Sequence, residues 1–493
     1  MNLVTAFARS AHEHARKTAL YWGDAEFTFS DLAQRAAYAA FCLQNRFNVK
    51  PGDRVGLWLE NCPEFIPAFL GILRAGAAAV PINSFLKPEE VNYILADAGI
   101  DVLFTDADLG SHHRALEAAR PNLKLFPVAM LAGEMPDLSH AAVGRKPSDL
   151  AALIYTSGTT GHPKGAMLSH GNLLHNVESC RRVLETVPAD RFGVLLPLFH
   201  SYMLTVGMLL PLIAGGSIIL VKSLHPVKNV LEELVTRQAS ILPAIPQFYR
   251  SLVNIPGHLE LPIRVFISGA APLPKKVIEE FEAKFRRPLI EGYGLSEASP
   301  VVSKNPIHGK RKAGSVGLPI PNVEVSIQDD QGRRLPPHHV GEVCVRGGNV
   351  MLGYWNNPEE TAKTFRGEWL LTGDIGYLDS EGYLYITDRK KDMLLVNGIN
   401  VYPREIEEVI YHFPGIREAA VIGKPDVRRG EKPVAFVSLN DGVQVDTREL
   451  QLFLKRKLAD YKIPQCITIL PALPRNGTGK ILKTALRDLP LTQ

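Results

Sequence analysis

Apolar residues along most of the chain follow two alternating patterns. Stretches with apolar side chains at helical spacing, such as residues 65–75, are followed by short runs of β-branched and small apolar residues. The runs at residues 78–82, 101–105 and 263–267 are predicted to be buried strands. Because strands that alternate with helices pair in parallel through crossover connections, this pattern predicts parallel sheets covered by helices.

The pattern changes twice toward the C-terminus. From about residue 316, short strands separated by Gly and Pro predict a small β-rich subdomain. A charged run at 388–392 comes next, and helices at 403–413 and 447–458 then enclose two predicted strands. The chain is therefore predicted to be an α/β protein with a large N-terminal domain and a small C-terminal α+β domain. The charged run is a solvated turn in the simplest interpretation and a hinge in the other.

Residues 201–221 contain no charged side chain, and that length could span a bilayer. Pro211 and the pair Gly215 and Gly216 interrupt this stretch. We interpret it as a buried helix, a turn and a buried strand.

The composition is that of an ordinary soluble protein, with 46% hydrophobic and 22% charged residues among 493. A net charge of +4 is small for this length, so no nucleic-acid partner is expected. The five cysteines form no CxxC pair, which argues against structural zinc and disulfides. The first residues also lack the pattern of a signal peptide, and a cytoplasmic location is expected.

A segment rich in glycine and hydroxyl residues follows the predicted strand at 151–155. Its members are Thr156, Ser157, Gly158, Thr159, Thr160 and Gly161, with Lys164 shortly after. Glycines let the backbone approach a ligand, and hydroxyls and free N–H groups can hold phosphate oxygens. This is not a Walker A loop, because Pro163 stands where the second glycine is required. The segment is predicted to bind phosphate, and a surface turn is the alternative.

Residues 268–272 and 291–297 each end a predicted strand. Because ligands bind at the carboxyl ends of parallel strands, both segments are expected to face one cleft. Asp374 is expected in a tight turn, and by itself this is a common Gly-Asp turn. Lys480 belongs to a loop with two glycines, and by itself it is an exposed lysine near the C-terminus.

Residues 156–165 resemble the phosphate loop of the adenylate-forming superfamily, which contains acyl-CoA synthetases, nonribosomal peptide adenylation domains and luciferases. Further similar segments follow in the family's order as far as Lys480, so the resemblance covers nearly the whole chain. It implies an ATP-dependent enzyme that activates a carboxylic acid as an acyl-adenylate. It also implies an N-terminal domain at 1–388, a hinge at 389–391 and a mobile C-terminal domain at 392–493.

The resemblance assigns roles to individual residues. Those that would contact ATP are Thr156, Ser157, Gly158, Thr159, Thr160, Gly161 and Lys164 at the phosphates, Gly269, Ala270, Ala271, Tyr293 and Gly294 at the adenine, Ser296 at the α-phosphate, and Asp374 and Arg389 at the ribose. Glu297 would hold Mg²⁺, since a hard cation suits one carboxylate plus substrate phosphates. Lys480 would stabilise charge as the carboxylate attacks the α-phosphate.

The resemblance also implies a moving C-terminal domain. Lys391, two residues after Arg389, matches the hinge position, and Gly398 matches the glycine that lines the pantetheine tunnel of coenzyme A. A hairpin turn is the simpler explanation of Gly398.

His200 is the third candidate catalytic residue, with Lys480 and Glu297. Relatives that activate amino acids carry Asp at this position, so an α-amino acid is not expected. The residues that follow, Met203 to Leu210, are uncharged, which favours a medium- or long-chain fatty acid, although they could equally be plain core.

Coenzyme A is the expected acceptor. Fatty acyl-AMP ligases carry an insertion that residues 353–374 are too few to hold. The alternatives are a ligase that loads a carrier protein, an aryl or other carboxylic acid–CoA ligase, and a nucleotide-binding protein without catalysis. Peripheral membrane contact and a homodimer stay open.

Overall fold

A computed structural model describes residues 1–106, 110–136, 140–156, 163–224, 226–257, 259–426, 428–476 and 479–489. The strands are β1 (Thr18–Trp22), β2 (Ala25–Thr28), β3 (Arg54–Trp58), β4 (Ala78–Ile82), β5 (Val102–Thr105), β6 (Lys124–Pro127), β7 (Leu150–Thr156), β8 (Lys164–Ser169), β9 (Arg191–Val194), β10 (Ser217–Leu220), β11 (Ile241–Ala244), β12 (Val265–Ser268), β13 (Leu289–Gly294), β14 (Val301–Lys304), β15 (Leu318–Pro319), β16 (Val323–Gln328), β17 (Gly341–Gly347), β18 (Phe365–Arg366), β19 (Trp369–Leu378), β20 (Leu384–Arg389), β21 (Leu394–Val396), β22 (Ile399–Val401), β23 (Ile416–Asp426), β24 (Gly430–Leu439) and β25 (Cys466–Ile469). The α-helices are α1 (Leu3–Glu13), α2 (Phe29–Asn45), α3 (Phe65–Arg74), α4 (Pro88–Asp97), α5 (Gly110–Ala119), α6 (His170–Val183), α7 (Leu210–Ala214), α8 (Val227–Thr236), α9 (Pro246–Asn254), α10 (Lys275–Phe285), α11 (Pro358–Thr364), α12 (Pro403–Tyr411), α13 (Thr447–Lys455) and α14 (Lys483–Arg487).

Two mainly parallel sheets form the N-terminal part. One has the order β15-β14-β13-β12-β11-β9-β10-β1-β2, and the other has the order β6-β5-β3-β4-β7-β8. Antiparallel pairs occur only toward the edges of these two sheets. The predicted parallel sheets covered by helices are therefore confirmed, and the carboxyl ends of the strands are where ligands of such sheets bind.

The helices begin where the sequence supplies hydrogen-bonding caps. The Thr28 hydroxyl accepts from the backbone N–H of Asp31, whose carboxylate accepts in return from the N–H of Thr28. Ser169 and Asn172 form the same reciprocal pair at the start of α6. Such pairs satisfy backbone N–H groups that the first turn of a helix leaves without partners.

The uncharged stretch after residue 200 forms a buried helix, a turn and the buried strand β10, as predicted. Residues Met203–Leu209 are wound as a π-helix and continue directly into α7. Within this π-helix the Thr205 hydroxyl donates to the carbonyl of Ser299 at 3.0 Å. Among the described residues, no helix is long and apolar enough to cross a membrane.

The predicted β-rich subdomain is an antiparallel sheet with the order β16-β17-β19-β18, and β20 pairs with β19. Strands β21 to β25 form a separate sheet in which only β25 runs parallel to its neighbour. In the sequence, helix α12 lies between β22 and β23, helix α13 between β24 and β25, and helix α14 after β25. The predicted helices at 403–413 and 447–458 are present and slightly shorter, ending at Tyr411 and Lys455.

Residues after 393 have hydrophobic clusters of their own. Two clusters contain Leu394, Val421, Phe436 and Leu486 among their members, and every buried member lies between residues 394 and 486 of the described chain. A core that is not shared is what an independent domain requires.

Gly317, just before β15, packs closely against the backbone of Lys304. Its φ is +86°, and an added Cβ would lie 1.9 Å from the carbonyl carbon of Lys304. Gly382 has a similar φ of +82°, but the nearest atom to its Cβ would be 3.8 Å away. Positive φ costs a non-glycine residue roughly 1–2 kcal/mol, and overpacking adds about 1–3 kcal/mol. We expect Gly317→Ala to destabilise by about 3 kcal/mol and Gly382→Ala by about 1 kcal/mol.

Denaturant unfolding followed by tryptophan fluorescence measures both variants. Equal loss of stability in the two alanine variants would contradict the contact of Gly317 with the Lys304 backbone.

Candidate active site

The two parallel sheets meet at Glu297. Thr156, at the carboxyl end of β7, donates its hydroxyl hydrogen to Glu297 Oε1 at 3.3 Å. The Tyr354 hydroxyl donates to the same oxygen at 2.9 Å. Glu297 lies in the single turn that follows β13, so strands of both sheets present polar groups to one place. Tyr354 was not among the predicted residues, and nothing in its neighbourhood of sequence marks it as a partner of Glu297.

Glu297 is the carboxylate at this meeting point of the two sheets. Among the residues that the structure describes, no three His, Cys, Asp or Glu side chains gather into a group that could enclose a metal ion. A carboxylate with nearby hydroxyls fits a hard cation that takes most of its oxygen ligands from a bound phosphate.

The predicted phosphate loop lies largely outside the described residues. Ser157, Gly158, Thr159, Thr160 and Gly161 are not described, and their role stays a prediction.

Lys164, just beyond this loop, is described. It forms an ion pair with Glu360 and lies 5.6 Å from the centre of the Tyr354 ring. Glu360 sits in α11, near the start of that helix, and was not predicted as a partner. A phosphate contact by Lys164 would have to compete with this ion pair.

Asp374 is held by two partners. The Tyr293 hydroxyl donates to Asp374 Oδ2 at 2.5 Å, and Arg389 Nε lies 3.2 Å from Asp374 Oδ1. Asp374 is only 4% exposed. Burial, together with the negative charge of Asp374, raises the pKa of Tyr293, so the phenol stays protonated and donates.

The tight turn predicted for Asp374 is wrong. Asp374 lies within the long strand β19, directly opposite Arg389 on β20. Gly373, with φ of +69°, and irregular pairing with the neighbouring strands distort the backbone there. Irregular strand pairing re-aims side chains, and sequence alone does not distinguish it from a turn.

The loop after β12 carries the three small residues predicted to frame an adenine. Ala270 has a positive φ of +66°, which is uncommon for alanine. A Cβ on Gly269 would lie 3.1 Å from Tyr202 Cζ, so this backbone packs closely on the tyrosine ring. Strain held in a loop at the end of a strand is typical of binding sites.

Gly294 and Ser296 follow Tyr293 at the end of β13. A Cβ on Gly294 would lie 2.0 Å from the carbonyl oxygen of Pro300, so only glycine fits there. The hydroxyl oxygens of Ser296 and Ser201 are 2.9 Å apart. This contact ties the predicted nucleotide segment to the start of the buried helix that precedes α7.

His200 is neutral at ordinary pH. Desolvation, reinforced by the positive charge of Lys480, lowers the pKa of His200 to about 4. The backbone N–H of Tyr202 donates to His200 Nδ1 at 3.2 Å. We therefore assign the imidazole proton to Nε2, since Nδ1 already acts as an acceptor.

Lys480 lies within electrostatic reach of Arg389, Asp374 and His200. Desolvation and the positive charge of Arg389 lower the pKa of Lys480 to about 8, against the opposing influence of Asp374. The backbone N–H of Lys480 donates to the Asn476 side chain at 2.9 Å, which holds this end of the loop. The structure thus brings together Lys480, Asp374, Arg389, Tyr293 and His200, although they are far apart in sequence.

Gly398 occupies the turn of a two-residue hairpin. Asn397 and Gly398, with φ of +52° and +76°, connect β21 to β22. This is the simpler of the two explanations for that glycine. Lys391 lies in the turn between β20 and β21, where its charge contributes to the lowered pKa of Lys480.

The chain is similar to known proteins over nearly its whole length. The family described as AMP-binding enzyme matches residues 7–355, and the AMP-binding enzyme C-terminal domain matches residues 405–480. A long-chain-fatty-acid–CoA ligase of Bacillus subtilis is 36% identical, covering 99% of this chain and 94% of the relative. A feruloyl-CoA synthase of Amycolatopsis is 35% identical, covering 97% of each chain. The ATP-bound crystal structure of MatB from Rhodopseudomonas palustris is 34% identical and superimposes with a TM-score of 0.92 over 99% of both chains.

The lowered pKa of Lys480 predicts selective chemical labelling. An exposed lysine has a pKa of about 10.4, so at pH 8 Lys480 has far more free amine than its surface counterparts. A limiting amount of acetic anhydride should label it with a midpoint near pH 8, as measured by peptide mass spectrometry. Arg389→Gln removes a like charge and should shift that midpoint to higher pH.

Arg346→Gln is the matched control, because Arg346 pairs with Glu324 and Glu368 on the protein surface. A Lys480 midpoint that is the same in the wild type and in Arg389→Gln would contradict the proximity of the two cations.

Proposed function

The chain belongs to the family of AMP-binding enzymes, and from this membership we propose that it is an AMP-forming fatty acid–CoA ligase. The observation that carries the proposal is that Lys480 lies within electrostatic reach of Arg389 and of the buried Asp374. Such a group of charges suits an anionic nucleotide whose α-phosphate is attacked. Long-chain-fatty-acid–CoA ligases among the relatives, at 33–36% identity, support both the acid class and coenzyme A as acceptor.

In the first half-reaction, a carboxylate oxygen of the acid attacks the α-phosphorus of ATP, and the bond to pyrophosphate breaks. The adenine would lie against Tyr293 and residues 269–271, and the ribose hydroxyls would share the Asp374 carboxylate. Lys480 would stabilise the negative charge that grows at the α-phosphate. No base is required, since a carboxylate is already ionised at neutral pH.

His200 and Ser296 would orient the reactants. With its proton on Nε2, His200 can donate a hydrogen bond to the attacking carboxylate. Ser296 would donate to the α-phosphate after breaking its contact with Ser201. Mg²⁺ held by Glu297 would neutralise phosphate charge while the residues of the loop that begins at Thr156 bind the phosphate oxygens.

In the second half-reaction, the thiol sulfur of coenzyme A attacks the acyl carbonyl carbon, AMP leaves and the thiol proton passes to solvent. We propose that residues 392–493 turn about a hinge at 389–391, centred on Lys391, so that Lys480 leaves and Gly398 approaches the pantetheine arm. The separate hydrophobic clusters beyond residue 393 support this division from domain 1–388. Their own core would let these residues move as a unit.

The acid is proposed to be a medium- or long-chain fatty acid. Met203, Leu204, Val206 and Leu210 follow His200 and are buried and apolar, which suits an aliphatic chain. The feruloyl-CoA synthase relative makes an aryl acid the second candidate. A cytoplasmic location also remains our proposal.

A panel of octanoate, palmitate and ferulate with ATP and Mg²⁺ tests the function. With coenzyme A we expect the acyl-CoA and AMP, identified by mass spectrometry, with a fatty acid preferred over ferulate because the proposed chain-binding residues carry no polar group for the ring hydroxyl. An acyl-AMP that accumulates and is not consumed by coenzyme A would contradict the proposed acceptor. A preference for ferulate would instead select the second candidate.

Two variants test the division of labour between the half-reactions. Lys480→Ala should reduce acyl-adenylate formation by about 100-fold or more, while thioester formation from supplied acyl-AMP continues. Lys391→Pro should do the reverse, since proline fixes φ at the proposed hinge. Pyrophosphate release and acyl-CoA formation measure the two steps separately. Equal loss of both half-reactions in Lys480→Ala would refute its assignment to the first step.

A further inference from the structure

A buried acid connects the nucleotide segments to the C-terminal residues. Glu291 lies on β13, two residues before Tyr293, and is 2% exposed. Its Oε1 accepts from the backbone N–H of Leu273, at the end of the loop that carries Gly269 to Ala271, at 3.2 Å. Its Oε2 has no hydrogen-bond partner among the described residues. One carboxyl oxygen thus holds the loop predicted to frame the adenine, and the other lacks a hydrogen-bond donor among the described residues.

Arg404 reaches Glu291 from the C-terminal side. Arg404 is in the first turn of α12, and its Nη2 lies 3.7 Å from Glu291 Oε1. Its backbone N–H donates to Asp388 Oδ2 at 2.9 Å, and its Nη1 donates to the carbonyl of Ile386 at 3.1 Å. Arg404 therefore joins the strand before the proposed hinge to the acid beneath the nucleotide loop.

The other charges around Glu291 are few and mixed. Glu408 of α12 accepts from the backbone N–H of Lys275 at the start of α10, and both face Glu291. Glu282, Arg311 and Lys312 line the small cavity of about 190 Å³ beside it. Burial raises the pKa of Glu291 to about 7, and Arg404 opposes that rise more strongly than any other neighbour.

We propose that Glu291 is a positioning residue whose ion pair with Arg404 couples the nucleotide loop to the docking of the domain that carries Lys480. This inference rests on the proposed function, because docking matters only if Lys480 acts in the first half-reaction. Glu291 itself touches neither nucleotide nor acid in this assignment. It acts through Leu273 on one side and through Arg404 on the other.

The coupling has a direction that follows from electrostatics. A buried carboxylate without a counter-charge is unfavourable, so Glu291 takes up a proton from solvent when Arg404 moves away. Conversely, an ionised Glu291 favours the docked arrangement. Acyl-adenylate formation therefore gains as the pH rises through the pKa of Glu291, which is about 7 in the docked arrangement. Lys480, with a pKa of about 8, limits the gain at higher pH.

Glu291→Gln separates the two contacts. The amide oxygen still accepts from Leu273, while the charge that attracts Arg404 is lost. In the wild type we expect adenylation, measured as pyrophosphate release without coenzyme A, to rise about fourfold from pH 6 to pH 7.5, because ionisation of Glu291 with a pKa of about 7 favours the docked arrangement by about that factor. Glu291→Gln should match the wild type at pH 6, show no such rise and be about fourfold slower at pH 7.5.

Arg404→Met and the double variant that combines it with Glu291→Gln complete a double-mutant cycle. Without Arg404 the charge of Glu291 no longer favours docking, so the pH-dependent rise should disappear in Arg404→Met, as it does in Glu291→Gln. The double variant should lose no more activity than Glu291→Gln, because both substitutions break one interaction. Glu408→Gln is the control, since it removes a neighbouring carboxylate but keeps the pair, and it should retain the rise.

Failure of the coupling and failure of the proposed function give different results. If the wild type releases pyrophosphate with a fatty acid but Glu291→Gln and Arg404→Met keep its pH profile, the coupling is wrong. If no acid leads to pyrophosphate release, the proposed function is wrong, and the coupling falls with it. Thioester formation from supplied acyl-AMP should persist in Glu291→Gln. Its loss would show general damage to the site and would also overturn the proposal.

Discussion

The cleft depends on one buried carboxylate. Asp374 is almost inaccessible, and an ionised acid in that environment is stable only with close partners. Its partners come from different parts of the chain: Tyr293 from the nine-stranded sheet, Arg389 from the end of β20, where the proposed hinge begins, and Lys480 from near the C-terminus. Keeping this charge paired therefore fixes how the β-rich sheet lies against the parallel sheet and where the C-terminal residues can approach. Both carboxylate oxygens have a partner, and each keeps a further lone pair that a ribose hydroxyl can use.

Several cations lie around Asp374. Arg389 and Lys391 both lower the pKa of Lys480, and Lys480 in turn lowers the pKa of His200. Asp374 and Asp392 act in the opposite direction, and a bound anion would add to their effect by relieving the repulsion between the cations. A bound nucleotide would return the pKa of Lys480 toward its ordinary value. Relief of the repulsion between these cations therefore contributes to nucleotide binding, in addition to the geometry of the site.

Regular elements could be predicted from the sequence, while long-range partners could not. Periodicity placed the strands at 78–82 and 101–105 because local side-chain patterns determine which face of an element is buried. It misplaced Asp374 in a turn, since the distortion of β19 arises from pairing with strands distant in sequence. The sequence also did not predict Tyr354, Glu360 and Arg404 as partners of Glu297, Lys164 and Glu291. A hydrogen bond between residues 57 or 196 positions apart leaves no local pattern. Resemblance to a family supplied roles for Lys480 and Asp374 that spacing alone would not have given.

The contacts between the C-terminal residues and the rest of the protein are largely polar. Arg404 meets Glu291, Glu408 meets the backbone of Lys275, and Arg250 of α9 reaches both Glu418 and the ring of Tyr411. Water can replace such polar contacts when the two parts separate, whereas exposing the clusters of apolar side chains within each part would be costly. An interface held by charges is therefore strong enough to select one arrangement and weak enough to be left during turnover. Burial of Glu291 adds a condition, because its charge is tolerated only while Arg404 is near.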